Sequence, residues 1–180
     1  MHLYGPKQPP NWLFKLPLDS RFVWHNDRRL FSDEQIIRKL LGLSWKPEAQ
    51  GDELSAGHAG VTVQPWGQWN WPLALSTPER AVLELLDELP CHESFHQVGK
   101  LMEGLTNLSP WRLQTLLANC KSVKVKRLFF FFSDRRNHAW KKRLKKEEVD
   151  FGKGKRMLVK GGKLDHAYQI TVPEDLDGVR

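Results

Sequence analysis

Apolar residues recur along the middle of the chain at the three- and four-residue spacing of amphipathic helices, and toward its two ends at the alternation of short strands. The plainest helix starts behind Thr77, an N-cap residue followed by Pro78 at the first helical position. Val82, Leu85, Leu86 and Leu89 share its apolar face, and Pro90 stops it. A second helix carries Phe95, Val98, Leu101, Met102 and Leu105 on one side. A third opens at Ser109 and Pro110 and buries Leu113, Leu116, Leu117 and Cys120, which makes Cys120 a core position and not a nucleophile. Three short amphipathic helices with brief joints predict a compact helical cluster.

The segment SVKVKRLFFFFSDRRNHAWKKRLKK that follows fits two templates. As a strand it aligns Val123, Val125, Arg127, Phe129 and Phe131, leaving a charge inside an apolar row. As a helix it gathers Val125, Leu128, Phe129 and Phe132 into one stripe, widened by Phe130 and Phe131 and broken at residues 134–137. The helix is the consistent reading. HAWKKRLKKEEV is expected to continue as a short basic helix.

The flanks read as strands. HLYG ends in the proline-rich turn PKQPP, and residues 21–31 form a second strand. A short helix is expected behind Ser32, a loop from Trp45 to Gly60, and then strands interrupted by turns in VTVQPWGQWNWPLALS. Trp66, Trp69 and Trp71 in that stretch could stack bases, but packing into the core is the expected use of large aromatics. KRMLV and YQITV predict a late hairpin with GGK at or near its turn. The pattern as a whole predicts an α+β (mixed α/β) domain, a small sheet with a cluster of short amphipathic helices. Residues 1–75 form its strand-rich part and 76–180 the helical cluster and hairpin, best treated as one domain over 1–180.

Composition changes this picture mainly through charge. The 180 residues carry a net +7, but sixteen Lys/Arg against four Asp/Glu fall between Asn119 and Lys163, a local +12 that leaves −5 for the remainder. Such a field attracts polyanions, nucleic acid first. The basic residues Lys121, Lys124, Lys126 and Arg127 crowd the N-terminal turns of the phenylalanine helix, against its macrodipole, which also points to an anionic partner. Two cysteines without paired spacing predict neither a disulfide framework nor a structural zinc site, and no apolar run is long enough for a signal peptide or a membrane span. A cytoplasmic protein is expected.

Motifs for catalysis fail on inspection. Asp150-Phe151-Gly152 lacks every other kinase element, and Gly152-Lys153-Gly154-Lys155 lacks the order of a phosphate-binding loop, so these are turn glycines. Cys91, His92 and His96 make a weak metal signal without a second ligand pair and read as a helix-entry loop. His138 reads as structural, and an enzyme built on His138 and Asp134 is the least supported reading. The sequence predicts no cofactor, no metal and no catalytic residue; a binding or regulatory role is the default.

Three stretches carry a family resemblance: STPERAVLELLDELP at 76–90, HQVGKLMEGLTNLSPWRLQTLLANCKSVKVKRLFFFFSDRRNHAW at 96–140, and GKRMLVKGGKLDHAYQITVPEDL at 154–176. They resemble the AbiEi antitoxins of type IV toxin-antitoxin systems, linked to abortive infection in phage defence. LYGPK, FVWHN and WGQWNWPLALS match more loosely. The resemblance implies a winged helix-turn-helix that binds promoter repeats, an α/β domain that neutralises the toxin, and a nucleotidyltransferase-like toxin partner with no stable complex. The first residues here read as the interior of the family sequence, so the expectation is the antitoxin part without that reading head. Lys124, Lys126, Arg127, Arg135, Arg136, Lys141, Lys142, Arg143, Lys153, Lys155 and Arg156 are then the candidate nucleic-acid-binding residues, touching phosphates without reading bases. The alternative is a non-specific DNA- or RNA-binding module without antitoxin activity.

Overall fold

The computed structural model describes residues 1–5, 7–26, 28–31 and 60–177. Strand β1 (His2–Gly5) pairs in parallel with β2 (Val23–Asn26), setting His2 opposite Val23 and Tyr4 opposite His25. Strands β3 (Val61–Trp66) and β4 (Trp71–Ser76) form an antiparallel hairpin. Four helices follow: α1 (Pro78–Asp87), α2 (Phe95–Gly104), α3 (Pro110–Asn119) and α4 (Val123–Asp134). A second antiparallel hairpin, β5 (Lys163–Asp165) and β6 (Ile170–Val172), follows, and a 3-10 turn at Glu174–Asp177 comes after it. Among the described residues the sheets are three separate pairs, consistent with the α+β expectation.

Helix α4 is the centre. Its N-cap Ser122 accepts a hydrogen bond from the Val125 amide at 3.3 Å, and every residue from Val125 to Ser133 is buried. A helix apolar all round belongs inside a protein, and four consecutive phenylalanines leave it no solvent face. Phe129 meets Phe130 edge-on at 5.5 Å and tilts against Trp140 at 5.8 Å, while Phe132 faces Phe95 of α2. Around it pack Leu83 and Leu86 of α1, Val98 and Met102 of α2, Leu113 and Leu117 of α3, and Ile170 of β6.

Helix α1 buries its polar face as well as its apolar one. Glu79 accepts from the Ser109 amide at 2.7 Å and from Arg112 at 3.0 Å, which fixes the start of α3. Glu84 holds Arg80 at 2.7 Å and the Ser76 hydroxyl at 2.8 Å. Asp87 pairs with Arg29 at 2.7 Å, and Glu88, the C-cap, sits 3.3 Å from His25. The carboxylates of this helix therefore tie β2, β4 and α3 to it.

Several expectations need correction. Residues 138–149 form two single 3-10 turns, Ala139–Arg143 and Lys146–Glu148, because the Leu144–Lys145 link between them is extended. KRMLV is not a strand: only Arg156 bridges to Ile170, and the hairpin pairs KLD with ITV through a turn at 166–169, where Gln169 adopts a positive φ. The strand at 21–31 is confined to Val23–Asn26, with Phe31 bridging to Cys120. Leu101 is exposed on α2. Trp66, Trp69 and Trp71 are 68%, 79% and 68% exposed on the β3–β4 hairpin instead of packing in the core, since that hairpin projects from the helices. The helix expected behind Ser32 and the loop expected before Gly60 lie outside the described residues.

Truncating Phe129, which has no exposed surface, to alanine is expected to cost about 3–5 kcal/mol, read by denaturant unfolding. Acid sensitivity tests the α1 struts. Burial works against ionising Glu79, but the Ser109 amide and the Arg112 guanidinium outweigh it and hold the carboxyl below its ordinary value. Glu79 therefore contributes stability that is complete above the ordinary carboxylate range and is lost as pH falls through and below it. In E79Q, unfolding free energy should be lower at neutral pH and should fall less steeply with acid.

Candidate nucleic-acid interface

The basic third of the chain divides into buried and outward-facing cations. Arg127 is only 3% exposed, and its guanidinium spends its donors on main-chain carbonyls. Nε donates to Phe151 at 2.8 Å, Nη1 to Gly154 at 2.6 Å and to Gln169 at 3.3 Å, and Nη2 to Gly152 at 3.2 Å. Burial, and secondarily the charge of Arg156, lower its pKa. Lys126 is buried beside it. Lys124 is half-buried: its ammonium donates to the carbonyls of Asp87 at 2.5 Å and Leu89 at 2.9 Å, with the Asp87 carboxylate at 3.4 Å.

These contacts account internally for Lys124 and Arg127 at the start of α4, and Lys121 donates to the Arg28 carbonyl at 3.2 Å. The positive end of α4 lies against the negative, carbonyl-bearing end of α1, and Lys124 bridges them, so the unfavourable dipole is compensated inside the protein.

At the other end of α4 the cations are mostly engaged. The Arg135 guanidinium lies 3.7 Å from the centre of the Phe131 ring, and Arg136 pairs with Glu103 at 3.2 Å. Lys141 pairs with Asp134 at 2.8 Å; Asp134 also accepts the Tyr168 hydroxyl, to which Lys146 donates at 2.6 Å. Burial opposes ionisation of Asp134, but Lys141 and Tyr168 overcome it and hold its carboxyl below the ordinary value. Burial first, and then the bond to Asp134, push the Tyr168 phenol upward. His138 is buried too, stacked on Trp140 at 5.1 Å with Nε2 donating to the Met102 carbonyl at 2.9 Å.

Five of the predicted residues face outward with no ion pair to a described residue: Lys142, Arg143, Lys153, Lys155 and Arg156. Lys142 and Arg143 end the first 3-10 turn. Lys153, Lys155 and Arg156 sit on the loop whose carbonyls Arg127 grips, shaped by positive φ at Gly152 and Gly154 and by Asp150, which accepts the Gly152 amide at 2.8 Å. A Cβ at Gly152 would also press on Val123 at 3.0 Å, so glycine is required there twice over. The buried arginine thus fixes the backbone that displays the exposed ones.

Beside Arg143 opens a groove of about 830 Å³ lined by Trp111, Gln114, Asn119 and Lys145. Trp111 is 55% exposed, and its indole lies off the apolar stripe of α3. An exposed aromatic next to basic side chains is the combination that single-stranded nucleic acid uses for stacking and phosphate contact. The sequence signal for Trp111 was its position two residues before Leu113, on the opposite side of the helix.

Replacing Arg127 with methionine is expected to free the 151–156 loop while leaving α4 helical. Amide exchange at residues 151–156 should rise well before exchange in α4, and stability should drop by at least about 2 kcal/mol, the scale of removing a charge-assisted hydrogen bond from a buried site.

Among the described residues no helix is long and apolar enough to cross a membrane. No curated protein and no solved structure gives a significant match. The profile described as "Transcriptional regulator, AbiEi antitoxin, Type IV TA system" matches residues 1–173. With that match spanning nearly all of a mixed α+β chain, the protein belongs to the AbiEi family of type IV antitoxins and transcriptional regulators.

Proposed function

We propose that this chain is the antitoxin of a type IV pair, acting in the cytoplasm as a regulator and not an enzyme, and that it counters a nucleotidyltransferase-like toxin without a stable complex between them. On this reading it works through nucleic acid. The observation that carries the proposal is the exposed set Lys142, Arg143, Lys153, Lys155 and Arg156, unpaired by described acids while the carboxylates of α1 are consumed internally. Phosphates are the chemistry that such a surface recognises, and binding of this kind carries no base readout. Arg127 supports the loop of this surface from within, whereas Lys124 serves the end of α1, Lys126 is buried, and Arg135, Arg136 and Lys141 are engaged with Phe131, Glu103 and Asp134.

A second reading is a non-specific DNA- or RNA-binding module whose binding is separate from antitoxicity; the groove between Trp111 and Arg143 favours a single-stranded ligand for it.

Charge reversal of Lys142, Arg143, Lys153 and Lys155 tests both and spares the structural pairs. The native chain should rescue growth of bacteria expressing the toxin, and the folded quadruple variant should not. Binding to duplex DNA should weaken, and its log–log salt slope should shrink by about 0.9 for each phosphate that the variant no longer neutralises. Weakened binding with intact rescue would select the second reading; unchanged binding and rescue would reject the surface altogether.

A further inference from the structure

The structure assigns a divalent-cation site to the N-terminal strands: we infer that His2 Nδ1 and His25 Nε2 ligate an ion of the zinc class, with Glu88 as the charged residue that positions His25. Neither histidine belongs to the basic surface, and the two lie far apart in sequence. The parallel pairing of β1 and β2 brings them together, with Tyr4 opposite His25 and His2 one pleat earlier on the same face. The two imidazoles stack at 5.0 Å, with Tyr4 against His25 at 4.9 Å. His2 Nδ1 and His25 Nε2 are 2.8 Å apart. On its other side His25 Nδ1 is 3.3 Å from Glu88 Oε1, and one ligand atom from each of the three residues falls within 4.8 Å of the others.

The chemistry follows from the tautomer. The Glu88 carboxylate can only accept, so Nδ1 of a neutral His25 carries the proton and Nε2 presents its lone pair to His2. Without metal, one proton on His2 Nδ1 fills the gap. A divalent ion replaces that proton; with Zn–N bonds of about 2.0–2.1 Å in tetrahedral geometry, the nitrogens need separate only to about 3.3 Å. His2 is exposed at the start of a strand and can yield that distance.

The surroundings favour a cation. Glu88 caps α1 at the negative end of its dipole. The neighbouring cations are committed elsewhere, Arg29 and Lys124 to Asp87 and Arg80 to Glu84. A carboxylate–histidine–metal series is also the arrangement that orients imidazole ligands and raises their basicity. His2 and Glu88 both line a cavity of about 390 Å³ with Leu3, Val61 and Leu75 among its walls, so the remaining coordination positions face space for water or a small ligand. Two imidazole nitrogens select zinc, cobalt or nickel over magnesium or calcium.

The test uses untagged full chain, because Met1 is anchored by its amine to the Arg21 carbonyl at 2.8 Å and because a histidine tag would compete. Titration with Zn²⁺ should show one equivalent bound, and Co²⁺ should give the visible absorption of a nitrogen-ligated, low-coordinate ion. H2A, altered at an exposed position, should stay folded and lose at least about 100-fold in affinity. E88Q should lose about 10- to 100-fold, the effect of removing a carboxylate behind a ligand. H96A, away from this site, should bind as the native chain does. Failure of the native chain to bind Zn²⁺, or H2A and E88Q binding with native affinity, overturns the assignment.

Discussion

A guanidinium with no carboxylate partner among the described residues organises the C-terminal part of this protein. Arg127 projects from the most apolar helix of the fold and is satisfied by four carbonyl oxygens from residues 151, 152, 154 and 169. A buried cation is tolerable only if its donors are used, and arginine's planar fork can engage several carbonyls at once in a way that lysine cannot. The consequence is reciprocal. The loop needs Arg127 to collect its carbonyls, and α4 can keep Arg127 inside only because the loop supplies them. The hairpin β5–β6 joins the same arrangement through Gln169 and Ile170, so the packing of α4, the shape of the loop and the docking of the hairpin are one cooperative unit.

Charge segregation follows from where the acids go. Four of the acids outside the basic third sit on α1 and its C-cap, and there Glu79, Glu84, Asp87 and Glu88 are buried against specific partners. Acids used internally do little to offset surface charge. Their partners Arg29, Arg80, Arg112 and Lys124 are consumed with them, so the positive charge left without a partner among the described residues lies mainly on residues 142–156. Within that segment Lys145 pairs with Glu148 and Lys146 with Asp134, whereas Lys142, Arg143, Lys153, Lys155 and Arg156 face outward without an ion pair to a described residue.

How much of this was legible depended on whether the signal was periodic or long-range. The helices around Val82, Val98 and Leu113 could be read because an apolar stripe and an N-cap are local features. The phenylalanine helix could be read because its strand alternative stranded Arg127 in an apolar row. The same reasoning missed that Arg127 would be buried anyway, since its four acceptors lie 24 to 42 residues away. Amphipathicity also misjudged Trp66, Trp69 and Trp71: hydrophobicity alone does not tell a core aromatic from one on a projecting hairpin. The basic surface was visible in the sequence as a charge excess, but which cations face outward was not, because Lys124 and Lys142 differ only in what lies across from them. The pairing of His2 with His25 had no sequence signal, since parallel strand register is set by tertiary contacts.

The end of α1 is where the two halves of the molecule meet. Lys124 reaches it from α4, Arg29 from the segment after β2, and His25 from β2 itself, each drawn to carbonyls or carboxylates at the negative end of one helix. Helix ends leave carbonyls without intrahelical partners, and here Lys124 takes up two of them while Arg29 and His25 engage the carboxylates beside them. A change in charge at this point acts on both halves at once. Seating an ion between His2 and His25 would strengthen the hold of β1 and β2 on Glu88, while the neighbouring Asp87 continues to anchor α4 through Lys124. The helix that grips the exposed basic loop and the strands that carry the histidines are thus fixed to adjacent residues, Asp87 and Glu88, at the same helix end.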